Sequence, residues 1–201
     1  MPTSDSVWLE NATIVTVDDD HSVIEGDVLV RDGRIESVGE VDPEEAEGIP
    51  RRDVGGRVVM PGFVQTHIHL CQTLMRNAAD DMVLIDWLRK RIWPYEAALE
   101  ADEMRASADL GLAELMLGGT TTLLDMGTLR HTDMIGEAVA DAGIRAFIGK
   151  CMMDNPEQCP PELCEDTDDS LLESAALADR WDGAEEGRIR YAFAPRFAIS
   201  C

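Results

Sequence analysis

The chain is poor in basic residues, with 17 lysines and arginines against 40 acidic residues and a formal net charge of −23. A surface of that sign repels nucleic acids and anionic membranes, so we expect neither as a partner. Hydrophobic residues make up 45% of the chain, which excludes a disordered acidic segment. We therefore expect a folded, acid-coated domain of the kind found in a halophilic, salt-rich cytoplasm.

Cysteine motifs and long apolar runs are also missing. The five cysteines are odd in number and scattered, and no Cys-x-x-Cys spacing occurs. This pattern excludes a small disulfide-bonded scaffold and argues against a structural zinc knuckle. The first residues lack the apolar core of a secretion signal, and no apolar run is long enough to span a bilayer. We expect a cytoplasmic protein with reduced thiols.

Histidine is scarce, but two of the four histidines fall in the run 59–69. This run contains a Pro-Gly turn, and the residues after the turn have the pattern of a β-strand. Side chains on a strand alternate between faces, so His67 and His69 share one face while Val64 and Ile68 point to the other. Two neutral imidazoles suit zinc or iron. The alternative interpretation is an ordinary pair of surface or core histidines.

Imidazoles on one face and aliphatic side chains on the other are typical of a strand that lines a barrel surrounded by helices. In such barrels the chemistry lies at the carboxyl ends of the strands. The rest of the chain is predicted to contain further strands and helices. Asp32-Gly33 is predicted at a hairpin turn, and Pro94 is predicted to end a helix. Strands are predicted at 120–125, 144–154 and 188–194, and helices at 86–93, 100–117, 132–142 and 170–181.

Five segments resemble the amidohydrolase superfamily, in the branch of S-adenosylhomocysteine, methylthioadenosine and 5′-deoxyadenosine deaminases, guanine deaminase and triazine hydrolases. In chain order they are VMPGFVQTHIHLCQTLMR, DWLRKRIWPYEAAL, GGTTTLLDMG, GIRAFIGKCMMD and RIRYAFAPRFAISC. The resemblance implies an α/β fold, with part of a small β-sandwich at 1–59 and a (β/α)8 TIM-type hydrolase barrel from 60 to 201. A whole barrel takes about 250 residues, so we expect the first half, about four strands.

The resemblance also implies a site. It makes His67 and His69 ligands of Zn²⁺ or Fe²⁺, with the family's remaining ligands at positions that have no counterpart here. No catalytic proton-transfer residue is assigned for the same reason.

Four further residues are implied to bind substrate. Glu96 would accept hydrogen bonds from ribose hydroxyls or a purine N–H, and Gln72 would contact the base. Arg196 with Phe197 would hold a purine by hydrogen bonding and stacking. Judged without the resemblance, Gln72 is a loop amide, Glu96 an exposed helix acid and Arg196 a charge on the rim. Lys150 stands where some related deaminases direct an arginine toward the substrate.

The implied function is metal-dependent hydrolytic deamination of a purine nucleoside or purine-like amidine, with adenosyl compounds favoured over guanine or triazines. Three interpretations of the chain's extent remain open. It is an amino-terminal portion of such an enzyme, one piece of a split enzyme that assembles with a separate C-terminal half, or a catalytically dead remnant that serves as a binding or assembly module. The complete protein is expected to be a homo-oligomer, as related enzymes often are.

Overall fold

The structure is a computed structural model that describes residues 5–201. The chain divides into two compact units between Pro61 and Gly62, two residues beyond the boundary expected from the sequence.

The first unit is built on one five-stranded sheet. Its strands are β1 (Val7–Val15), β2 (Val23–Arg31), β3 (Arg34–Gly39), β4 (Arg51–Asp53) and β5 (Val58–Val59). The order is β3-β2-β1-β4, and β5 also pairs with β1. Small apolar clusters lie on this sheet, one around Ile14 and Val28 and another around Trp8 and Leu29.

The predicted hairpin is confirmed between β2 and β3. Asp32 and Gly33 form its turn with φ values of 50° and 73°. Two consecutive positive φ angles are the geometry that a two-residue hairpin loop requires, and Asp-Gly is a preferred pair for it.

The second unit contains four parallel strands in chain order, β10-β8-β7-β6. These are β6 (Phe63–Ile68), β7 (Thr120–Asp125), β8 (Arg145–Ile148) and β10 (Ile189–Tyr191). The short strands β9 (Cys151–Met152) and β11 (Ala194–Pro195) pair beyond the ends of β8 and β10. Four parallel strands in sequence order with helices between them are what the first half of a (β/α)8 barrel contains.

The helices are α1 (Leu84–Trp87), α2 (Trp93–Ala98), α3 (Ala101–Leu117), α4 (Thr132–Ala142) and α5 (Thr167–Trp181). A 3-10 helix spans Leu70–Met75, and a short turn spans Ala184–Gly187. Helix α3 begins with a capping box, in which the Glu100 amide donates to the Glu103 carboxylate at 3.0 Å. In the part of the chain that the structure describes, no helix has the length and apolarity to cross a membrane.

The prediction that Pro94 ends its helix is wrong. A π-helical turn, Leu88–Ile92, connects α1 to α2, and Pro94 lies in the first turn of α2. Proline is tolerated there because the π-helical turn before it already departs from the regular hydrogen-bond pattern of an α-helix, which proline would otherwise interrupt. The chain therefore stays helical from Leu84 to Ala98, which carries Glu96 inward.

Two strand predictions also need correction. The fourth strand is not continuous over 188–194 but breaks after Tyr191 and resumes at Ala194. Val64 is 62% exposed rather than packed against a helix, because β6 is an edge strand of its sheet.

Candidate functional site

His67 in β6 and His69, which directly follows the strand, lie side by side, as the strand alternation predicts. The ring centroids of His67 and His69 are 5.2 Å apart, with the ring planes at 80°. Two imidazoles bound to one tetrahedral ion place their ring centroids about 5 Å apart, given zinc–nitrogen bonds of about 2.1 Å. The pair therefore fits two positions of a mononuclear metal site.

The environment of His69 supports the same conclusion. Its Nδ1 lies 3.3 Å from the carbonyl oxygen of Gly127. In the tautomer with hydrogen on Nδ1, that contact is a donated hydrogen bond, and Nε2 keeps its lone pair for a ligand. Burial also lowers the pKa of His69, which favours the neutral, ligand-competent ring.

Three of the predicted substrate residues form one hydrogen-bonded cluster around Glu96. Gln72 Nε2 donates to Glu96 Oε1 at 2.8 Å. Arg196 Nη2 donates to the same oxygen at 3.0 Å, and Arg196 Nη1 donates to Oε2. The two ends of this bidentate pair are 100 residues apart in the chain.

This cluster is buried, which corrects the readings of Glu96 as an exposed acid and Arg196 as a rim charge. Glu96 is 1% exposed, and the Arg196 side chain is 4% exposed. Burial alone would lower the pKa of Arg196, but the Glu96 carboxylate raises it above the usual value. Arg196 Nε has no hydrogen-bond partner among the described residues, which leaves a buried donor within the cluster.

A second grouping of possible metal ligands consists of His69, Cys71 and Glu96, whose ligand atoms lie within 4.8 Å of one another. Its chemistry suits a metal less well than the histidine pair. Burial raises the pKa of Cys71 well above its usual value, so the thiol keeps its proton. The charge of Glu96 is already compensated by Arg196. The histidine pair is therefore the better candidate for a set of metal ligands.

Asp125, at the end of β7, fixes the backbone directly after His69. Its Oδ1 accepts a hydrogen bond from the amide of Leu70 at 2.8 Å, whereas its Oδ2 has no partner among the described residues. Burial raises the pKa of Asp125 to about 7 despite this bond. The contact with the Leu70 amide gives Asp125 a structural role next to His69.

Phe197 lies beside this cluster but faces outward. It is 36% exposed, and the Arg196 guanidinium carbon is 6.0 Å from its ring centroid. It lines a small apolar cleft together with Leu88, Trp93 and Ile199. A larger cavity of about 470 Å³ borders His69 and Gln72, but the other substrate candidates lie outside its lining.

Lys150 does not point toward this cluster. It is fully buried, and its Nζ donates to both carboxylate oxygens of Glu165 at 2.6 Å and to Ser170 Oγ at 3.2 Å. The cation therefore joins the end of β8 to the start of α5. The glutamate partner lies 15 residues away, and no local pattern in the sequence indicated it.

Residues 58–201 match the Amidohydrolase family. A 5-methylthioadenosine/S-adenosylhomocysteine deaminase of Symbiobacterium thermophilum is 37% identical over 96% of this chain and 43% of its own length. A 5′-deoxyadenosine deaminase of Methanosarcina acetivorans is 34% identical over 97% of this chain and 43% of its own length.

Two solved structures extend the comparison. A guanine deaminase from C. acetobutylicum with bound guanine superposes with a TM-score of 0.88 at 25% identity, covering 98% of this chain and 47% of its own. An adenosine deaminase from Xanthomonas campestris with bound zinc has a TM-score of 0.74 at 27% identity, covering 94% of this chain and 42% of its own. The chain thus spans less than half the length of these proteins.

Proposed function

Because the chain belongs to the amidohydrolase family, we propose that it supplies part of the metal site and substrate site of a hydrolase that deaminates a purine nucleoside. The proposal rests on one observation, the bidentate Glu96–Arg196 pair with Gln72 attached, next to an imidazole pair spaced for one ion. Burying charged groups costs desolvation free energy even when they are paired, and buried charges with shifted pKa values cluster at functional sites. Their convergence beside candidate metal ligands therefore favours a functional site.

His67 and His69 would hold the metal, with zinc favoured over iron because imidazole nitrogens in tetrahedral geometry suit it. When bound, such an ion supplies Lewis-acid chemistry that makes water nucleophilic near neutral pH. The Gly127 carbonyl keeps His69 in one tautomer, and Asp125 fixes the turn that follows. These contacts orient the His69 side chain and do not involve the substrate.

Glu96 would accept hydrogen bonds from ribose hydroxyls or a purine N–H, since an ionised carboxylate offers only acceptors. Arg196 holds that carboxylate in one orientation, and Gln72 fixes the same oxygen. Phe197, at the open side of the cluster, would stack on the base. The substrate would thus be held at its polar edge by Glu96 and at its face by Phe197.

The substrate favoured here is an adenosyl compound, since similar proteins are named as deaminases of methylthioadenosine, S-adenosylhomocysteine and 5′-deoxyadenosine. Guanine is the second candidate, because a guanine deaminase solved with guanine is among the similar structures. A triazine-like amidine is the further alternative.

Activity would need a complementary half barrel. Among the residues that the structure describes, no strand pairs with the outer edge of β6 or of β10 in the parallel sheet, and Phe63 and Val64 on β6 are exposed. Unpaired strand edges with apolar side chains favour association with further strands. We therefore propose that the missing strands are supplied by further residues of the protein or by a separate chain, and that the assembled enzyme is a homo-oligomer.

The test is to purify the chain alone and together with the product of the adjacent coding region. Zinc content would be measured by elemental analysis. Ammonia release would be followed with 5′-methylthioadenosine, S-adenosylhomocysteine, 5′-deoxyadenosine and guanine as substrates. We expect about one zinc per assembled unit and the highest kcat/KM with an adenosyl compound.

His67→Ala and His69→Ala should abolish both metal binding and ammonia release. His21→Asn is the matched control, because His21 is exposed in the first unit and asparagine tolerates its positive φ of 51°. Stoichiometric zinc without deamination of any purine would refute the substrate assignment. Absence of both zinc and ammonia with the complementary half bound would instead indicate a binding or assembly module.

A further inference from the structure

The loop between β9 and α5 brings two thiols together. Cys159 Sγ and Cys164 Sγ are 3.1 Å apart, and both cysteines are free. A disulfide bond is about 2.05 Å long, so the two sulfur atoms are about 1 Å from bonding distance.

Hydrogen bonds of the loop hold the two cysteines in this arrangement. The Cys159 amide donates to the Asn155 carbonyl at 3.0 Å, and the Leu163 amide donates to the Pro160 carbonyl at 3.0 Å. Glu165, next to Cys164, is bound by its amide to the Met153 carbonyl at 2.9 Å and by its carboxylate to Lys150. The sulfur contact is therefore part of an anchored loop.

The two thiols differ in accessibility. Cys159 is 7% exposed and packs in an apolar cluster with Trp93 and Leu163, whereas Cys164 is partly exposed. Burial raises the pKa of Cys159 to about 12, which keeps it protonated. Cys164 is thus the thiol that a small oxidant meets first.

We propose that Cys159 and Cys164 form a reversible dithiol–disulfide site that responds to peroxides. The Cys164 thiolate attacks a peroxide oxygen, the O–O bond breaks, and Cys164 becomes a sulfenic acid as water or an alcohol leaves. The Cys159 sulfur then attacks the Cys164 sulfur, and the S–O bond breaks. The released hydroxide takes the Cys159 proton as water. In sum, two thiols and one hydrogen peroxide give one disulfide and two waters.

The disulfide would close a ring of six residues and fix the loop against the cluster that contains Trp93, three residues before Glu96. A cross-link reduces the conformational freedom of the unfolded chain, and a ring of this size should raise the melting temperature by about 5 °C. Reduction with dithiothreitol should reverse the change. The site is independent of the proposed deaminase activity, which would stand if this proposal failed.

The experiment uses the full chain with Cys201→Ser, since Cys201 is exposed and would otherwise form links between molecules. Folded protein is treated with hydrogen peroxide, alkylated, and digested with a protease that cleaves after glutamate. Cleavage after Glu157, Glu162 and Glu165 puts the two cysteines on separate peptides, QCPPE and LCE. Only a disulfide joins these peptides, so their linked mass identifies it directly.

We expect the linked peptide within the first equivalents of peroxide, a loss of two free thiols per chain and a reversible rise in melting temperature. Cys164→Ser should lose all three effects, whereas Cys151→Ser, at a fully buried neighbouring thiol, should keep them. Oxidation of Cys164 to sulfinic acid without the linked peptide would refute the proposal. Equal yields of linked peptide from folded and urea-unfolded protein would also refute it, because the fold would then contribute nothing.

Discussion

Breaking the Glu96–Arg196 pair should destabilise the protein far more than breaking an exposed pair of the same shape. The Glu96 side chain is 0% exposed and the Arg196 side chain 4% exposed, so neither charge is solvated by water once its partner is removed. Arg196→Met would leave a buried carboxylate with two neutral donors, Gln72 Nε2 at 2.8 Å and the weaker Cys71 thiol at 3.9 Å.

The expected loss is about 3–5 kcal/mol in the free energy of unfolding, the range for removing one member of a buried ion pair. Glu96→Gln should cost a similar amount, because it leaves the guanidinium buried and uncompensated. The double variant should lose much less than the sum, so the coupling energy should be about 2 kcal/mol or more.

The chain offers a matched control in the Arg76–Glu114 pair. This pair is also bidentate, with nitrogen–oxygen distances of 2.6 and 2.7 Å, but its side chains are 54% and 45% exposed. Exposed pairs contribute about 0–1 kcal/mol. The Arg76→Met and Glu114→Gln cycle should therefore give a coupling energy below about 1 kcal/mol.

Both cycles would be measured by urea unfolding at pH 7, followed by tryptophan fluorescence and circular dichroism. Equal coupling energies in the two cycles would refute the reasoning, since burial would then make no difference. Additive losses at Glu96 and Arg196 would show that the two side chains do not contact each other.

Four further predictions concern stability. The pKa of Asp125 is about 7 in the folded state against a usual 3.8. Between these values the native state keeps a proton on Asp125 that the unfolded state releases. The protonated carboxyl therefore stabilises the fold fully below about pH 4, and this contribution is lost as pH rises through 7. Wild-type protein should therefore lose about 4 kcal/mol relative to Asp125→Asn between pH 4 and 8, and parallel pH profiles in urea unfolding would contradict this. Lys150→Met should lower the free energy of unfolding by about 2–4 kcal/mol, because it leaves the Glu165 carboxylate without its lysine partner. A loss below about 0.5 kcal/mol would contradict the buried pairing. Gly136→Ala would place a methyl group 2.4 Å from the Trp181 ring and should lower stability by about 1–3 kcal/mol; unchanged stability and tryptophan fluorescence would show that α4 and α5 do not pack this way. Finally, a net charge of −23 should make the unfolding midpoint rise with potassium chloride concentration, and a midpoint that rises on salt removal would argue against the halophilic interpretation.

Local patterns in the sequence predicted most of the second unit. The alternation around His67 and His69, the β-branched run of β7 and the glycines after α3 and α4 are all signals within a few residues. These elements were confirmed because their cause is local. The prediction that Pro94 ends a helix was wrong because it used a rule for a single residue. That rule takes no account of the π-helical turn before Pro94.

The site was harder to predict from residues alone. Glu96, Gln72 and Arg196 were identified through family resemblance, and their burial depends on partners up to 100 residues away. Lys150 shows the converse, because resemblance suggested a substrate-facing cation and the structure pairs it with Glu165. Whether a charge is buried is decided by distant contacts, which periodicity and spacing do not reveal.

The pairing order of the second unit also bears on how the protein is made. In this sheet β7 pairs with β6, β8 with β7, and β10 with β8. The sheet can therefore grow in chain order as the chain leaves the ribosome, at about 5–20 residues per second. Glu96 must wait for Arg196 to emerge 100 residues later. During that interval the Glu96 carboxylate of the nascent chain would have no arginine partner. The hydrogen-bonded cluster around Glu96 would therefore form only after the first strands of the sheet.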